Sequence, residues 1–303
     1  MSMSTATSPP EPNDDANTRR GRRKRDTIIA GTAIIAGTAI VCVASVGFFT
    51  SPPAPNPAVA STPASKQSID LAETMALPLA DYKAVIPGLI PFDETVDAAV
   101  QVGTLTTTAA LYGEQRDKPV ARLNKTDFLG KPTPIVVLQR DDAWSKILTP
   151  SRVSLPSASD GDAPAQSAAW IRSENIVDLH TVADRVDVVL HSRTLTVTAG
   201  GKMQHFEVGI GMPETPTPSA VSGYLEARYV DQRQGTGEHP IQLTSLHLQT
   251  EDTPVAGGVG GVIAMHYYDV RSGAVSHGCL RLSAEAVAAV NALPTGSIVT
   301  VAP

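Results

Sequence analysis

The chain of 303 residues carries a formal net charge of −6, with 24 lysine and arginine residues against 30 aspartate and glutamate residues. Six of the basic residues lie within positions 19–25, so the remainder of the chain is strongly acidic. Nucleic-acid binding ordinarily requires a basic surface, so this charge distribution argues against a nucleic-acid partner. Hydrophobic residues make up 42% of the sequence, which is enough for a packed core.

The first predicted element is an uncharged apolar run at residues 27–50, which follows a polar tail at 1–26. Such a run spans a bilayer core of about 30 Å as a helix. The basic cluster at 19–25 precedes it, and positive flanks stay in the cytoplasm. The sequence therefore predicts a disordered cytoplasmic tail and a single-pass anchor in the inner (cytoplasmic) membrane, with everything after residue 50 extracytoplasmic. Cleavage as a signal peptide near Ala58-Val59-Ala60 is the alternative.

Residues 51–95 are rich in proline and are predicted to form a linker, with a short helix within 69–79. From residue 96 to 176 the sequence changes to short apolar runs separated by turn residues, a pattern typical of a small antiparallel β-barrel. The predicted strands lie at 104–111, 121–123, 135–138, 144–147 and 169–172.

Three short motifs in this barrel region resemble a bacterial Src-homology-3-like domain. They are Ala110-Leu111-Tyr112-Gly113, Asp142-Ala143-Trp144-Ser145-Lys146-Ile147 and Ala169-Trp170-Ile171-Arg172. The resemblance implies a domain that binds or positions cell-wall material. A spacer domain without a ligand is the alternative.

Residues 177–303 form a second β-rich segment with one clear helix. Strands are predicted at 186–190, 195–198, 205–210, 224–229, 241–248, 262–265 and 298–301. The helix is predicted over 286–293, because Ser283 is a suitable N-cap, Glu285 lies in the first turn and Pro294 follows. The fold class predicted from these patterns is mainly β.

The segment 262–282, VIAMHYYDVRSGAVSHGCLRL, concentrates reactive side chains. Cys279 is the only cysteine outside the apolar run 27–50, and two histidines and an arginine lie close to it in sequence. A neighbouring histidine and backbone N–H groups stabilise the thiolate, which is the reactive form of cysteine. Gly278 allows an acyl group to approach the backbone closely, where N–H groups bind an oxyanion.

Two other interpretations of this segment remain open at the level of the residues. A lone cysteine outside a disulfide is often a small buried apolar side chain. His266, His277 and Cys279 are also ligand types for zinc, although no fourth ligand is evident. We therefore predict neither a metal nor a cofactor.

The motif Ser276-His277-Gly278-Cys279-Leu280-Arg281 resembles the signature of the L,D-transpeptidase catalytic domain, the YkuD family. His266 ends an apolar strand, as does the upstream histidine of that family. Gly209-Ile210-Gly211 and Pro216-Thr217-Pro218 match an earlier family feature that follows the third strand.

The resemblance implies a role for each residue of the site. Cys279 is the nucleophile, and His266 is the general base, oriented by the main-chain carbonyl of Tyr267. His277 and the backbone of Gly278 and Cys279 shape the oxyanion site. Two further residues, Arg281 and Ser276, are assigned to support of the loop and to substrate binding. Because only 13 positions separate His266 from Cys279, His277 remains an alternative base.

The same resemblance implies the architecture and the activity. The catalytic segment 177–303 is expected to be a YkuD-like β-sandwich with one or two short helices, displayed at the cell wall. It is expected to cross-link peptidoglycan stem peptides through a thioester at Cys279, with carbapenem-type β-lactams as covalent inhibitors. Water as the acceptor would make it an L,D-carboxypeptidase, and a protein amine a protein-to-peptidoglycan ligase. A non-catalytic wall-binding protein is the remaining alternative.

Overall fold

The computed structural model describes residues 69–161, 163–231, 238–252 and 261–303. The predicted tail 1–26, the predicted anchor 27–50 and the linker up to residue 68 lie outside these ranges. Within the described ranges, no helix has both the length and the apolar character needed to cross a membrane. The segment Ala64–Pro303 forms one compact unit.

The first sheet is built from eight strands of the N-terminal half of this unit. A short helix, α1 (Leu71–Ala76), precedes it, and the side chain of Asp70 caps that helix by accepting from the N–H of Glu73 at 2.8 Å. The strands are β1 (Ile90–Pro91), β2 (Val100–Leu105), β3 (Ala109–Tyr112), β4 (Pro119–Leu123), β5 (Ile135–Asp141), β6 (Trp144–Thr149), β7 (Ser167–Arg172) and β8 (Ile176–Val182).

The strand order in the first sheet is β4-β3-β7-β6-β5-β2-β8, with β1 paired to β7, and every pairing is antiparallel. One predicted strand is wrong, because the run 104–111 is divided between β2 and β3 by a turn at 106–108. Apolar residues of that run belong to both strands, so the composition did not reveal that the chain reverses direction between them. The Src-homology-3-like character of this region stays a prediction.

The second sheet contains eight strands in the order β11-β10-β9-β18-β13-β14-β15-β17, and β12 and β16 form a separate parallel pair. Two neighbouring pairs of the large sheet are parallel, β9 with β18 and β15 with β17. The bounds are β9 (Arg185–Val189), β10 (Thr194–Ala199), β11 (Lys202–Glu207), β12 (Ile210–Gly211), β13 (Val221–Tyr229), β14 (Ile241–His247), β15 (Val262–Tyr267), β16 (Ala274–Ser276), β17 (Leu280–Leu282) and β18 (Ile298–Ala302).

The second helix, α2 (Ala284–Asn291), confirms the helix predicted from the sequence, with its start two residues earlier. Ser283 is its N-cap, and the side-chain oxygen accepts from the N–H of Ala286 at 3.2 Å. Val287 and Val290 of the helix are fully buried in the main core of the second sheet. The helix therefore closes one face of that sheet.

A separate apolar cluster joins the two sheets. Tyr224 and Ile298 of the second sheet pack there with Val102 and Leu148 of the first. At Gly296, an added Cβ would lie 2.5 Å from a methyl group of Val102, so only glycine allows this close approach. The predicted mainly β architecture with few helices is confirmed, and the two sheets share a packed boundary.

The cap of α2 gives a stability prediction. Replacing Ser283 by alanine leaves an N-terminal N–H of the helix without its acceptor, so the free energy of unfolding should fall by about 1 kcal/mol. Chemical denaturation of the full-length chain in a mild detergent measures the change. Ser283→Asp retains an acceptor at the same position and should restore most of the loss. Equal destabilisation by alanine and aspartate would contradict the capping role.

Candidate active site

Two neighbouring strands bring the predicted nucleophile close to one predicted base. β15 ends at Tyr267 and β17 begins at Leu280, and the two run parallel with His266 opposite Arg281. Cys279 immediately precedes β17, so it lies next to the strand that carries His266. Adjacent strands are separated by about 4.8 Å. The short sequence spacing between the histidine and the cysteine is therefore enough to place them in neighbouring strands.

The two faces of these strands have different surroundings. Met265 and Leu280 are fully buried in the main core. Because side chains alternate along a strand, His266 and Cys279 lie on the opposite face. There Cys279 packs at the edge of a small apolar cluster, which we call the thiol-side cluster. Its buried members are Ala227, Ile241, Leu243 and Ala264. Both His266 and Cys279 are half-buried, so the face remains accessible.

The turn that carries the thiol is bonded to a second segment of the chain. The buried hydroxyl of Thr217 donates to the carbonyl of Gly278 at 2.8 Å and accepts from the N–H of Gly211 at 2.9 Å. The N–H of Met212 donates to the carbonyl of Ser276 at 2.8 Å. The glycine and proline-threonine-proline motifs singled out in the sequence are therefore the support of this turn.

The conformation of the turn requires glycine. Gly278 has φ +101°, a left-handed value, and an added Cβ would lie 2.4 Å from a methyl group of Leu248. The hydroxyl of Ser276 donates to the carbonyl of Cys279 at 2.5 Å and closes the turn. Ser276 is thus buried beneath the turn, where it organises the backbone around the thiol.

The tautomer of His266 follows from one hydrogen bond. Its Nδ1 lies 3.0 Å from the carbonyl oxygen of Tyr267, and a carbonyl only accepts, so Nδ1 carries the proton. Nε2 is then left with a free lone pair. Burial lowers the pKa of His266, the carbonyl of Tyr267 opposes this, and the charge of Arg281 lowers it further. The imidazole is therefore neutral at neutral pH and available as a base.

The thiol is protonated in the same resting state. Burial raises the pKa of Cys279, while a hydrogen bond with the main chain of Ala264 and the charge of Arg281 act in the opposite direction. The sulfur lies 4.0 Å from the carbonyl oxygen of Val262, which a thiol approaches as a weak donor. The pair thus rests as a neutral thiol and a neutral imidazole.

Arg281 contacts the loop that follows the histidine. Its Nη1 donates to the carbonyl of Val270 at 3.1 Å, and its guanidinium carbon lies 4.1 Å from the centre of the Tyr268 ring. The Tyr268 ring in turn meets the His266 ring edge-on, with centroids 6.2 Å apart. Arg281 therefore links the loop to the imidazole. His277, by contrast, is exposed on the turn.

Two residues of the N-terminal half also reach the site, and no sequence pattern marked them. Tyr82 packs against the thiol-side cluster, and its carbonyl lies 3.2 Å from Nε2 of the buried His247. Burial, with the charge of Arg152, lowers the pKa of His247 to about 3. Arg152 donates to the carbonyl of Leu248 at 3.0 Å, next to the glycine of the thiol turn.

Zinc bound by His266, His277 and Cys279 is the alternative interpretation of these side chains. Across the described ranges, no three histidine, cysteine, aspartate or glutamate residues are grouped so as to hold a metal ion. Acyl transfer by a thiol requires a nucleophile, a base and backbone N–H donors.

Comparison with known proteins finds a similarity for part of the second half of the chain. Residues 183–301 match the model of YkuD, the L,D-transpeptidase catalytic domain. A search of curated proteins found no match.

Several solved structures are similar at low identity. An L,D-transpeptidase from Mycobacterium smegmatis is 14% identical with a TM-score of 0.31, covering 53% of this chain and 91% of that one. L,D-transpeptidase 3 from Mycobacterium tuberculosis, in complex with a faropenem-derived adduct, is 14% identical with a TM-score of 0.32, covering 56% and 91%. An L,D-transpeptidase from Stackebrandtia nassauensis is 18% identical with a TM-score of 0.28, covering 40% and 55%.

The match to the family model extends from β9 into β18 and includes the histidine strand, the thiol turn and the segment that supports it. Residues 183–301 of this chain are therefore similar to YkuD, the L,D-transpeptidase catalytic domain.

Proposed function

We propose that this protein cross-links peptidoglycan stem peptides through an acyl-enzyme at Cys279. The observation that carries the proposal is the arrangement of the thiol turn. The half-buried Cys279 follows Gly278, whose left-handed backbone conformation favours glycine. His266 lies on the neighbouring strand, and its ring is held by the carbonyl of Tyr267. A peptide donor would take the open face beside these groups.

In the first step, Nε2 of His266 takes the proton of the thiol as the sulfur attacks the carbonyl carbon of the donor peptide. The developing oxyanion is bound by N–H groups of the turn at Gly278 and Cys279. The carbon–nitrogen bond then breaks, and the imidazolium returns its proton to the leaving amine. The product is a thioester between the donor and Cys279.

In the second step, an amine of a neighbouring stem attacks the thioester carbonyl. His266 accepts the proton of that amine, the carbon–sulfur bond breaks, and the thiolate is reprotonated. Water or a protein amine in place of the stem amine would give the carboxypeptidase or ligase activity. The similarity of residues 183–301 to the L,D-transpeptidase catalytic domain favours the stem amine, and the same open face would serve all three acceptors.

The site of action is proposed from the sequence. Residues 27–50 are proposed to anchor the chain in the inner membrane, with the catalytic domain outside at the cell wall. The proposal is supported by the basic cluster at 19–25, which keeps the N-terminus in the cytoplasm.

Covalent capture tests the nucleophile. A carbapenem-type β-lactam is an activated acyl donor, so full-length protein should gain the mass of one drug molecule on a peptide that contains Cys279. Cys279→Ser should give no adduct, because the hydroxyl is not ionised by the same neighbours. His266→Ala should slow acylation roughly 100-fold, the scale expected for loss of a general base. Intact-mass spectrometry measures adduct formation by both variants.

The exposed His277 provides the matched control for His266. His277→Ala should acylate at a rate close to that of the unaltered protein. If acylation is slowed in His277→Ala and not in His266→Ala, the base is His277. If Cys279→Ser still cross-links tetrapeptide stems at the original rate, the thioester mechanism is wrong.

The resting neutral pair predicts a particular pH dependence. Acylation requires the neutral imidazole, and the pKa of His266 is lowered from its ordinary value of 6.5, so the rate should fall only below that pH. The pKa of Cys279 is raised from its ordinary value of 9.0, so direct thiol ionisation should add rate only above it. Acylation rates measured by stopped flow should therefore be flat between these values. A rate that rises steadily through this range would contradict the general-base step.

The topology is tested separately from catalysis. A reporter enzyme that is active only outside the cytoplasm, fused after residue 66, should be active, and the chain should fractionate with membranes. Replacing the arginines of 19–25 by glutamine should reduce the reporter signal, because the basic flank sets the orientation. A soluble form that begins near Ser61 would instead demonstrate cleavage.

A further inference from the structure

Three acidic residues lie around one small cavity outside the thiol turn. Asp81, Asp127 and Glu226 line a cavity of about 90 Å³, to which Asn124 and Phe128 also contribute. Glu226 is only 5% exposed, and its Oε2 has no hydrogen-bond partner within the described part of the chain. A buried acceptor without a partner is costly, so this atom points to a missing donor.

Glu226 reaches the cavity because the strand is irregular there. The register of β13 against β14 shifts between Leu225 and Ala227, which places a β-bulge at Glu226. Leu225 faces the main core, whereas Ala227 belongs to the thiol-side cluster on the other face. Bulges redirect side chains in this way and often lie near functional sites.

The charge in the cavity is not balanced by the protein. Among the described residues, the salt bridges involve none of Asp81, Asp127 and Glu226. Burial raises the pKa of Glu226 well above its ordinary value, and the carboxylates of Asp81 and Asp127 raise it further. A cationic ligand would offset the electrostatic effect of Asp81 and Asp127, favour the ionised form of Glu226 and supply the missing donor.

Aromatic rings beside the cavity favour an organic cation. The rings of Tyr82 and Phe128 are 4.7 Å apart between centroids, and those of Phe128 and Tyr229 are 6.0 Å apart. Phe128 is 45% exposed although it is a large apolar side chain. Aromatic faces attract ammonium groups, and they offer an alkyl chain apolar contact as well.

The cavity lies on the same face of the sheet as the thiol. The strand register aligns Ala227 with Leu243 and Leu243 with Ala264, and Cys279 is the next position across the sheet. Three strand spacings separate Glu226 from Cys279, or roughly 14 Å. Four residues of an extended peptide cover a similar distance, at about 3.3 Å per residue.

We propose that this cavity binds a protonated primary amine carried by the peptide substrate, at a distance from the reacting carbonyl. That the amine belongs to the substrate rests on the proposed function. Peptidoglycan stem peptides that carry a diamino acid at position three supply such amines. The carboxylate of Glu226 accepts from the ammonium group, Asp81 and Asp127 complement its charge, and Phe128 contacts the alkyl chain.

The test uses the full-length protein and a pair of small probes. Nα-acetyl-lysine amide carries one cation, the side-chain ammonium, and Nα-acetyl-norleucine amide is its neutral counterpart. Ligand-observed NMR titration should show saturable binding of the lysine probe and none of the norleucine probe. Glu226→Gln keeps the shape but removes the charge, and should weaken binding roughly tenfold or more, as expected for a charge-assisted bond. Asp127→Asn should weaken it in the same direction.

Glu73→Gln, an exposed acid on α1, is the matched control and should bind the lysine probe as the unaltered protein does. Circular dichroism verifies that each variant is folded. The proposal would be overturned if the two probes bound equally, or if both Glu226→Gln and Asp127→Asn bound the lysine probe as the unaltered protein does. Displacement of the lysine probe by calcium chloride alone would overturn it as well. Carbapenem acylation of Cys279 is measured in parallel on the unaltered protein. Acylation without amine binding refutes only the cavity, whereas amine binding without acylation refutes only the nucleophile.

Discussion

The hydroxyl of Thr217 is the constraint on which the active-site turn depends. It accepts from the N–H of Gly211 and donates to the carbonyl of Gly278, so a single buried atom fixes both the supporting segment and the turn. Gly211 fits only as glycine, because an added Cβ would lie 2.3 Å from the carbonyl oxygen of Thr215. The turn then presents the thiol of Cys279 without using that side chain in its own support. Reactivity and rigidity are therefore assigned to different residues.

This separation leaves a half-buried thiol and imidazole that rest as a neutral pair. A preformed thiolate would need a permanent positive neighbour, whereas burial here raises the pKa of Cys279 and lowers that of His266. In the proposed mechanism, the proton consequently moves from the thiol to the imidazole as the sulfur attacks a carbonyl carbon. The charge of Arg281 lowers the pKa of both Cys279 and His266, so it favours the thiolate and disfavours the charged imidazole. Its main contacts are with the loop at Tyr268 and Val270, which backs the imidazole.

The sequence predicted the local features of the site and missed the long-range ones. The capped helix α2 and the motif around Cys279 are contiguous patterns, so propensity and spacing reveal them. The turn between β2 and β3 was missed because Thr106, Thr107 and Thr108 are as compatible with a strand as with a reversal. Arg152 and Glu226 were missed for a different reason. Their importance comes from contacts with residues far away in sequence, and neither lies in a local motif.

Those missed residues share a location, and this suggests what the N-terminal half contributes to the enzyme. Tyr82 packs on the thiol-side cluster, Arg152 holds the backbone behind the thiol turn, and Asp81 and Asp127 approach Glu226. Tyr82 lies on the face of the second sheet that carries Cys279, whereas α2 covers the other face. A catalytic sheet without these loops would expose Ala227, Leu243 and Ala264 next to the thiol, and its bulge would direct Glu226 into water. The N-terminal half thus supplies part of the wall of the site through Tyr82.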